Sequence, residues 1–297
     1  MTRLGLPLFL LAGCDLPQMA EEWQLDRLRL LAIAAEPAEP VPGDKVTFTS
    51  LQFVPDSDGA PAEWSSAWFA CVDGDEEGCT LDPALVDQLE HADQLTQTEL
   101  LALLDQLRAA GFVGVQPGMD LEWDVPLDAL DGLSDAEALE GRSATVDVSL
   151  ATADDNELVL KRIPVSRATT PNHNPGVAPI EIDGNAVDPS VSLALDSGNN
   201  YDVHAALSGD PETYTYVTTA GATESRTEKP SWRWYTSCGV LTYPADTGIA
   251  LSFEDSGEIE SSMVWTTPSE PGTCVLDAVV LDGRGGMGWQ SISASVR

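Results

Sequence analysis

The chain has 297 residues, room for two ordinary domains, and 43% of them are hydrophobic, which allows a buried core and excludes wholesale disorder. Against 14 Lys and Arg stand 49 Asp and Glu, a net charge of −35. Such a field repels phosphate backbones and anionic lipid surfaces, so it argues against nucleic acid as a partner. It leaves a solvated, salt-tolerant surface, a basic partner or bound cations.

The N-terminus carries Arg3 as a minimal positive region, then the apolar run Leu4–Leu11. That run is far below the ~20 residues a membrane-spanning helix needs. The stretch Leu11-Ala12-Gly13-Cys14 that follows resembles the lipobox of bacterial lipoproteins, in which the signal is cut before the cysteine and the cysteine is acylated. The resemblance implies a signal peptide over residues 1–13, lipidation at Cys14 and a tether over 14–24. Losing Arg3 would take the net charge from −35 to −36. Several acyl chains, each worth ~0.8 kcal/mol per buried methylene, would hold the protein on a membrane. Asp15 resembles the inner-membrane retention signal of enteric bacteria, a rule that does not extend to all bacteria. The expected address is the cell envelope, on the outer membrane, facing the periplasm or the surface.

Strand-like runs then begin. Leu28–Ala34 is apolar, and a proline-rich turn covers residues 36–44. Lys45–Phe53 alternates with period two, placing Val46 and Phe48 inward, and Leu51 and Phe53 inward beyond a bulge. Ser66–Cys71, Met119–Val125, Ala144–Ala151 and Glu157–Val165 complete a set of short strands joined by polar turns, the pattern of a β-sandwich. Between the third and fourth of these the texture changes. Thr96-Gln97-Thr98-Glu99 fits a capping box, Gly111 sits at a helix C-cap position, and Leu100, Leu103, Leu104 and Leu107 share one helical face. An earlier helix is expected over Pro83–Ala92, and Ser134-Asp135-Ala136-Glu137 starts a third. The reading is an α-helical insertion over about 81–140, its leucine face packed on the sheet or the partner helix, with an exposed binding face as the alternative.

Residues 167–176 (Thr169-Thr170-Pro171-Asn172-His173-Asn174-Pro175-Gly176 at their centre) are polar, proline-bearing and aperiodic, which marks a linker. Past it, Ile180–Gly184, Val191–Leu195, Tyr201–Leu207 and Ser231–Cys238 read as strands. Cys274–Leu281 and Gly288–Val296 form a hairpin around Asp282-Gly283-Arg284-Gly285-Gly286. The W-x-W of Trp232 and Trp234 and the V-x-D-G-x-G-G of Val280–Gly286 resemble bacterial immunoglobulin-like and PKD-like domains, over residues 177–297 and more loosely over 25–166. The resemblance implies a mainly β chain of two tandem Ig-like antiparallel β-sandwiches, the first with the helical insertion. It also implies that the Trp232 and Cys274 strands are antiparallel neighbours.

Four cysteines remain besides Cys14, and in an exported chain they imply disulfides with three possible connectivities. Spacing favours Cys71–Cys79 as a local clip and Cys238–Cys274 as a longer closure. The zinc alternative lacks CxxC pairs and nearby histidines. Calcium is the one ligand to weigh: Asp56-Ser57-Asp58-Gly59, Asp73–Glu77, Asp154-Asp155-Asn156 and Asp196–Asp202 are oxygen-rich loops, none of which continues as an EF-hand. Asp and Asn are also ordinary turn formers.

The three histidines, His91, His173 and His204, have no motif around them, and no HExxH, GxSxG, P-loop or GxGxxG is present. No cofactor is expected. The expected function is a non-catalytic envelope module for binding, adhesion or scaffolding, with an envelope protein or glycan as partner. The alternative is a polysaccharide- or cell-wall-binding accessory protein or enzyme, for which Trp64 and Trp123 would be stacking candidates. Trp68, Trp232 or Trp234, Trp265 and Trp289 are expected in the core.

Overall fold

A computed structural model describes residues 23–57, 60–72, 79, 82–91, 94–217, 222–243 and 257–297. The expected signal peptide and Cys14 lie outside the described residues. The chain is mainly β, with several antiparallel sheets.

In the first half the strands are β1 Arg29–Glu36, β2 Lys45–Phe53, β3 Asp56–Ser57, β4 Ala60–Pro61, β5 Trp64–Cys71, β6 Phe112–Gln116, β7 Glu122–Asp124, β8 Arg142–Thr152 and β9 Asn156–Val165. The helices are α1 Pro83–Glu90, α2 Gln97–Ala109 and α3 Asp135–Glu140. A three-stranded sheet, β1-β2-β7, faces a four-stranded sheet, β6-β5-β8-β9, across one core. Period-two alternation supplies that core: Val46 and Phe48 from β2 meet Trp68 of β5 and Ala144, Val146, Val148 and Leu150 of β8. The rings of Phe48 and Trp68 lie 6.0 Å apart across the two layers.

The second half adds β10 Glu181–Ile182, β11 Asn185–Ala186, β12 Leu193–Leu195, β13 Asn200–Ala206, β14 Thr213–Val217, β15 Thr223–Thr227, β16 Ser231–Thr236, β17 Val240–Thr242, β18 Glu260–Thr266, β19 Gly272–Leu281 and β20 Met287–Val296. Here β11-β10-β13-β18-β17 faces β12-β20-β19-β16 across a second core that holds Trp234, Trp265, Leu276 and Ile292. Strand β12 joins β20 in parallel, and β16 runs antiparallel to β19, as the resemblance implied. The β14–β15 hairpin stands apart from both sheets and packs on α3.

Several expectations are corrected. Leu51 and Phe53 do not enter the first core. The bulge falls in β1, at Leu31, so β2 keeps its alternation and turns both side chains to the opposite face. There they pack on a third cluster, built from Leu25, Leu31 and Ala32 of the first half and Tyr235 and Val279 of the second. Strands β1 and β19 are each buried on both faces because the seam covers their second faces, with β1 running closest to β20. The range 81–140 holds all three helices, and it also holds β6 and β7, which pair with β5 and β2. On α2, Leu103 and Leu107 are buried against Leu85 of α1 and Phe112, Leu104 is half-buried, and Leu100 is 41% exposed. Both capping boxes form, Thr96 with Glu99 and Ser134 with Glu137.

Among the described residues no helix is long and apolar enough to cross a membrane.

Candidate functional site

The cysteines of the sequence reading form two bridges, Cys71–Cys79 with Cα atoms 5.7 Å apart and Cys238–Cys274 at 5.4 Å. None of the eight tryptophans is exposed. Trp123, 5% exposed, belongs to the first core, and Trp64, partly buried, packs against it. The histidines stay apart from one another: His91 contacts the Asp87 carbonyl, His173 the Glu212 carboxylate at 2.7 Å, and His204 lies between Glu260 and Glu181.

The oxygen-rich loops serve their own turns. Asp155 accepts from the Asn156 amide, and within the 196–202 loop the Asp196 amide donates to the Tyr201 hydroxyl. Asp58, Gly59 and Asp73–Glu77 lie outside the described residues. Among the described residues no group of three or more His, Cys, Asp or Glu is disposed to hold a metal ion.

What the chain does assemble is a buried polar hub at one end of the seam between the halves. The turn after β1 supplies Glu39, the end of β9 supplies Ser166, the linker supplies Asn172, and the β19–β20 turn supplies Asp282 and Arg284. The residues flanking the β14–β15 hairpin supply Glu212 and Glu228. Arg284 is the centre. Its Nη2 donates to Glu39 Oε2 at 2.8 Å and to the Thr170 carbonyl at 3.1 Å. Its Nη1 donates to Glu228 Oε1 at 3.3 Å and lies 3.6 Å from Glu212, while the Tyr214 ring sits 4.2 Å from the guanidinium.

Glu39 is satisfied on both oxygens: Ser166 Oγ donates to Oε1 at 2.6 Å and the Asn172 amide to Oε2 at 2.7 Å. Asp282 holds its own turn together, accepting from the amides of Arg284 and Gly286, and accepts from Asn172 Nδ2 at 2.7 Å. Gly286 is required here, since a Cβ would stand 2.1 Å from Asp282 Oδ2. Asn174 adds a second stitch, donating to the Ala35 carbonyl and accepting from the Met287 amide. Lys161 of β9 donates to the Gly285 carbonyl. The linker is therefore fixed at its centre to both halves.

Burial shifts the titrating groups. It raises Asp282, against the hydrogen bonds it accepts, and raises Glu228. It lowers Lys161 to about 8, opposed by the Asp282 charge. The carboxylates of the hub are committed as acceptors from Ser166, Asn172, Arg284 and the turn amides, so the arrangement joins separate structural elements. A cleft of about 270 Å³ opens beside it, between Leu139 and Glu140 of α3, Pro164, and Tyr214 and Tyr216 of β14.

Sequence reasoning missed this hub. Its one local signal was Arg284, a rare cation set inside a glycine-rich turn of a chain with only 14 Lys and Arg.

No known family model matches the chain, and no curated protein matches it. Among solved structures it is similar to the three N-terminal domains of the bacteriophage RB49 highly immunogenic outer capsid protein, with 9% identity and a TM-score of 0.20, covering 91% of this chain and 59% of that one. It is also similar to a membrane-anchored protein from Corynebacterium diphtheriae, with 12% identity, a TM-score of 0.22 and 92% and 59% coverage. For trypsin-activated alpha-2-macroglobulin from Escherichia coli the values are 15%, 0.24, 91% and 18%. The chain thus spans less than two thirds of each of these structures. Likeness at this level establishes neither fold nor function.

Proposed function

We propose that the chain is a non-catalytic lipoprotein of the cell envelope. It presents two tandem immunoglobulin-like β-sandwiches, residues 25–166 and 177–297, as one rigid unit for binding, adhesion or scaffolding, held to the membrane through Cys14. The observation that supports this best is the seam. An apolar cluster, a buried ionic hub and a stitched linker lock the two halves together, which suits a module that transmits or displays rather than one that opens around a substrate. The two disulfides fit an oxidising compartment. The burial of Trp123 in the first core weighs against it as a glycan-stacking platform.

Protease shaving of intact cells expressing the tagged protein, beside a Cys14→Ala control, tests the address. Digestion from intact cells places the unit at the surface. Protection until the outer membrane is opened places it in the periplasm. If Cys14→Ala fractionates like the wild type, the lipid anchor is wrong.

A further inference from the structure

The seam buries more negative than positive charge. Asp277 is 2% exposed, Asp282 1% and Glu228 8%. The groups that face the last two are Arg284 in the β19–β20 turn, Lys161 on β9, Glu39 in the turn after β1, His173 in the linker, and Glu212 before β14. Asp277 sits apart from that hub. Alternation along β19 puts it on the face of Val279 and Leu281, between Tyr235 of β16 and Ser291 of β20, and this face is the one turned toward β1. Ser291 Oγ donates to it. The charged residues on the elements packed around it are Arg29 of β1, which lies 3.7 Å from Glu157, exposed Glu36 at the far end of β1, exposed Arg233 of β16, and exposed Asp26 and Arg27 in the segment that pairs with β16.

We propose that the seam takes up protons as it closes, so that the two halves grip each other more tightly at mildly acidic than at neutral pH. Burial lifts Asp277 to about 6, against the Ser291 hydrogen bond, and lifts Asp282 and Glu228 in the same direction. Parting the halves returns these carboxyls to water and to their ordinary range near 4. Between about 4 and 6 the closed seam therefore binds more protons than the open one. Closure strengthens as pH falls through about 6, and the gain is complete near 4. Lys161 acts in a different window: lowered to about 8, it loses its proton more readily in the closed form and favours closure only as pH rises above that value. The grip is weakest near pH 7 to 8.

The test is hydrogen–deuterium exchange on the full chain, carrying Cys14→Ala to keep it off membranes, with rates corrected for intrinsic pH dependence. Amides of β1 and the linker should be about tenfold better protected at pH 5 than at pH 7.5, with β8 unchanged. Asp277→Asn should remove most of that difference. Ser291→Ala, which takes away the hydroxyl that favours the charged form, should move the transition to higher pH. Equal or weaker protection at pH 5, an undiminished effect in Asp277→Asn, or no movement in Ser291→Ala would each overturn the proposal.

Discussion

Arg284 Nη2 donates to Glu39 Oε2 at 2.8 Å across 245 residues of sequence. The side chains are 12% and 7% exposed, so this pair works in a medium where leaving one partner alone is expensive. Arg284→Met strands Glu39 and Glu228 without their cation. It should cost about 3 kcal/mol or more, read as a lower urea midpoint. Glu39→Gln combined with Arg284→Met should cost less than the sum of the two single changes, because each removes the same contact.

The apolar part of the seam predicts a shape change. Leu31, 6% exposed, is the bulge residue of β1 and packs against Tyr235 and Val279 of the other half. Leu31→Ala should cost about 2 to 5 kcal/mol. Leu31→Asp places a charge in the same cluster and should part the halves while both cores stay folded. Small-angle scattering would then give a larger radius of gyration, with far-ultraviolet circular dichroism unchanged. An unchanged radius would show that the hub alone holds the seam.

Much of the fold was legible because alternation reports burial directly. The run Ala144–Ala151 reads as a half-buried strand and is one, and both capping boxes announce their helices. The seam was legible only in part. Leu-Leu-Ala-Ile-Ala-Ala at 30–35 is continuously apolar, the mark of a strand covered on both faces, but nothing in the run says what covers the second face. Leu51 and Phe53 were misplaced because the bulge that would reverse their facing lies in the partner strand, where the sequence of β2 cannot show it. Strand β15 of the β14–β15 hairpin was illegible because Thr223–Thr227 is polar and exposed throughout, whereas Thr213–Val217 alternates and carried a signal that went unread. The hub draws on five separated stretches, and a polar residue looks the same in sequence whether it meets water or Arg284.

The two disulfides should differ in worth. Cys238–Cys274 closes 36 residues and Cys71–Cys79 closes 8. Loop-closure entropy gives about 4 kcal/mol for the first and about 2 to 3 for the second. Paired serine substitutions, compared by thermal unfolding, should lower the midpoint more for Cys238 and Cys274. The reverse order would mean that the short clip stabilises through the native contacts of Cys79, whose amide donates to Asp147.

Gly111 and Gly198 make a controlled comparison of backbone strain against packing. Both have positive φ, +97° and +66°, so an alanine at either pays the left-handed penalty of about 1 kcal/mol. They differ in what a new methyl would meet. At Gly198 nothing lies within 4 Å, whereas at Gly111 the Cβ would stand 2.2 Å from the Ala70 carbonyl oxygen. That oxygen is backbone of β5, and the Ala70 amide in turn donates to the Gly111 carbonyl at 2.8 Å, so neither strand can retreat without breaking the join between β5 and β6. Gly111 also ends α2, passing the chain from helix into sheet. Gly198→Ala should therefore lower stability by about 1 kcal/mol, and Gly111→Ala by well over that, in parallel urea titrations. Equal losses would show that the β5–β6 join yields to the extra methyl and that φ alone sets the cost.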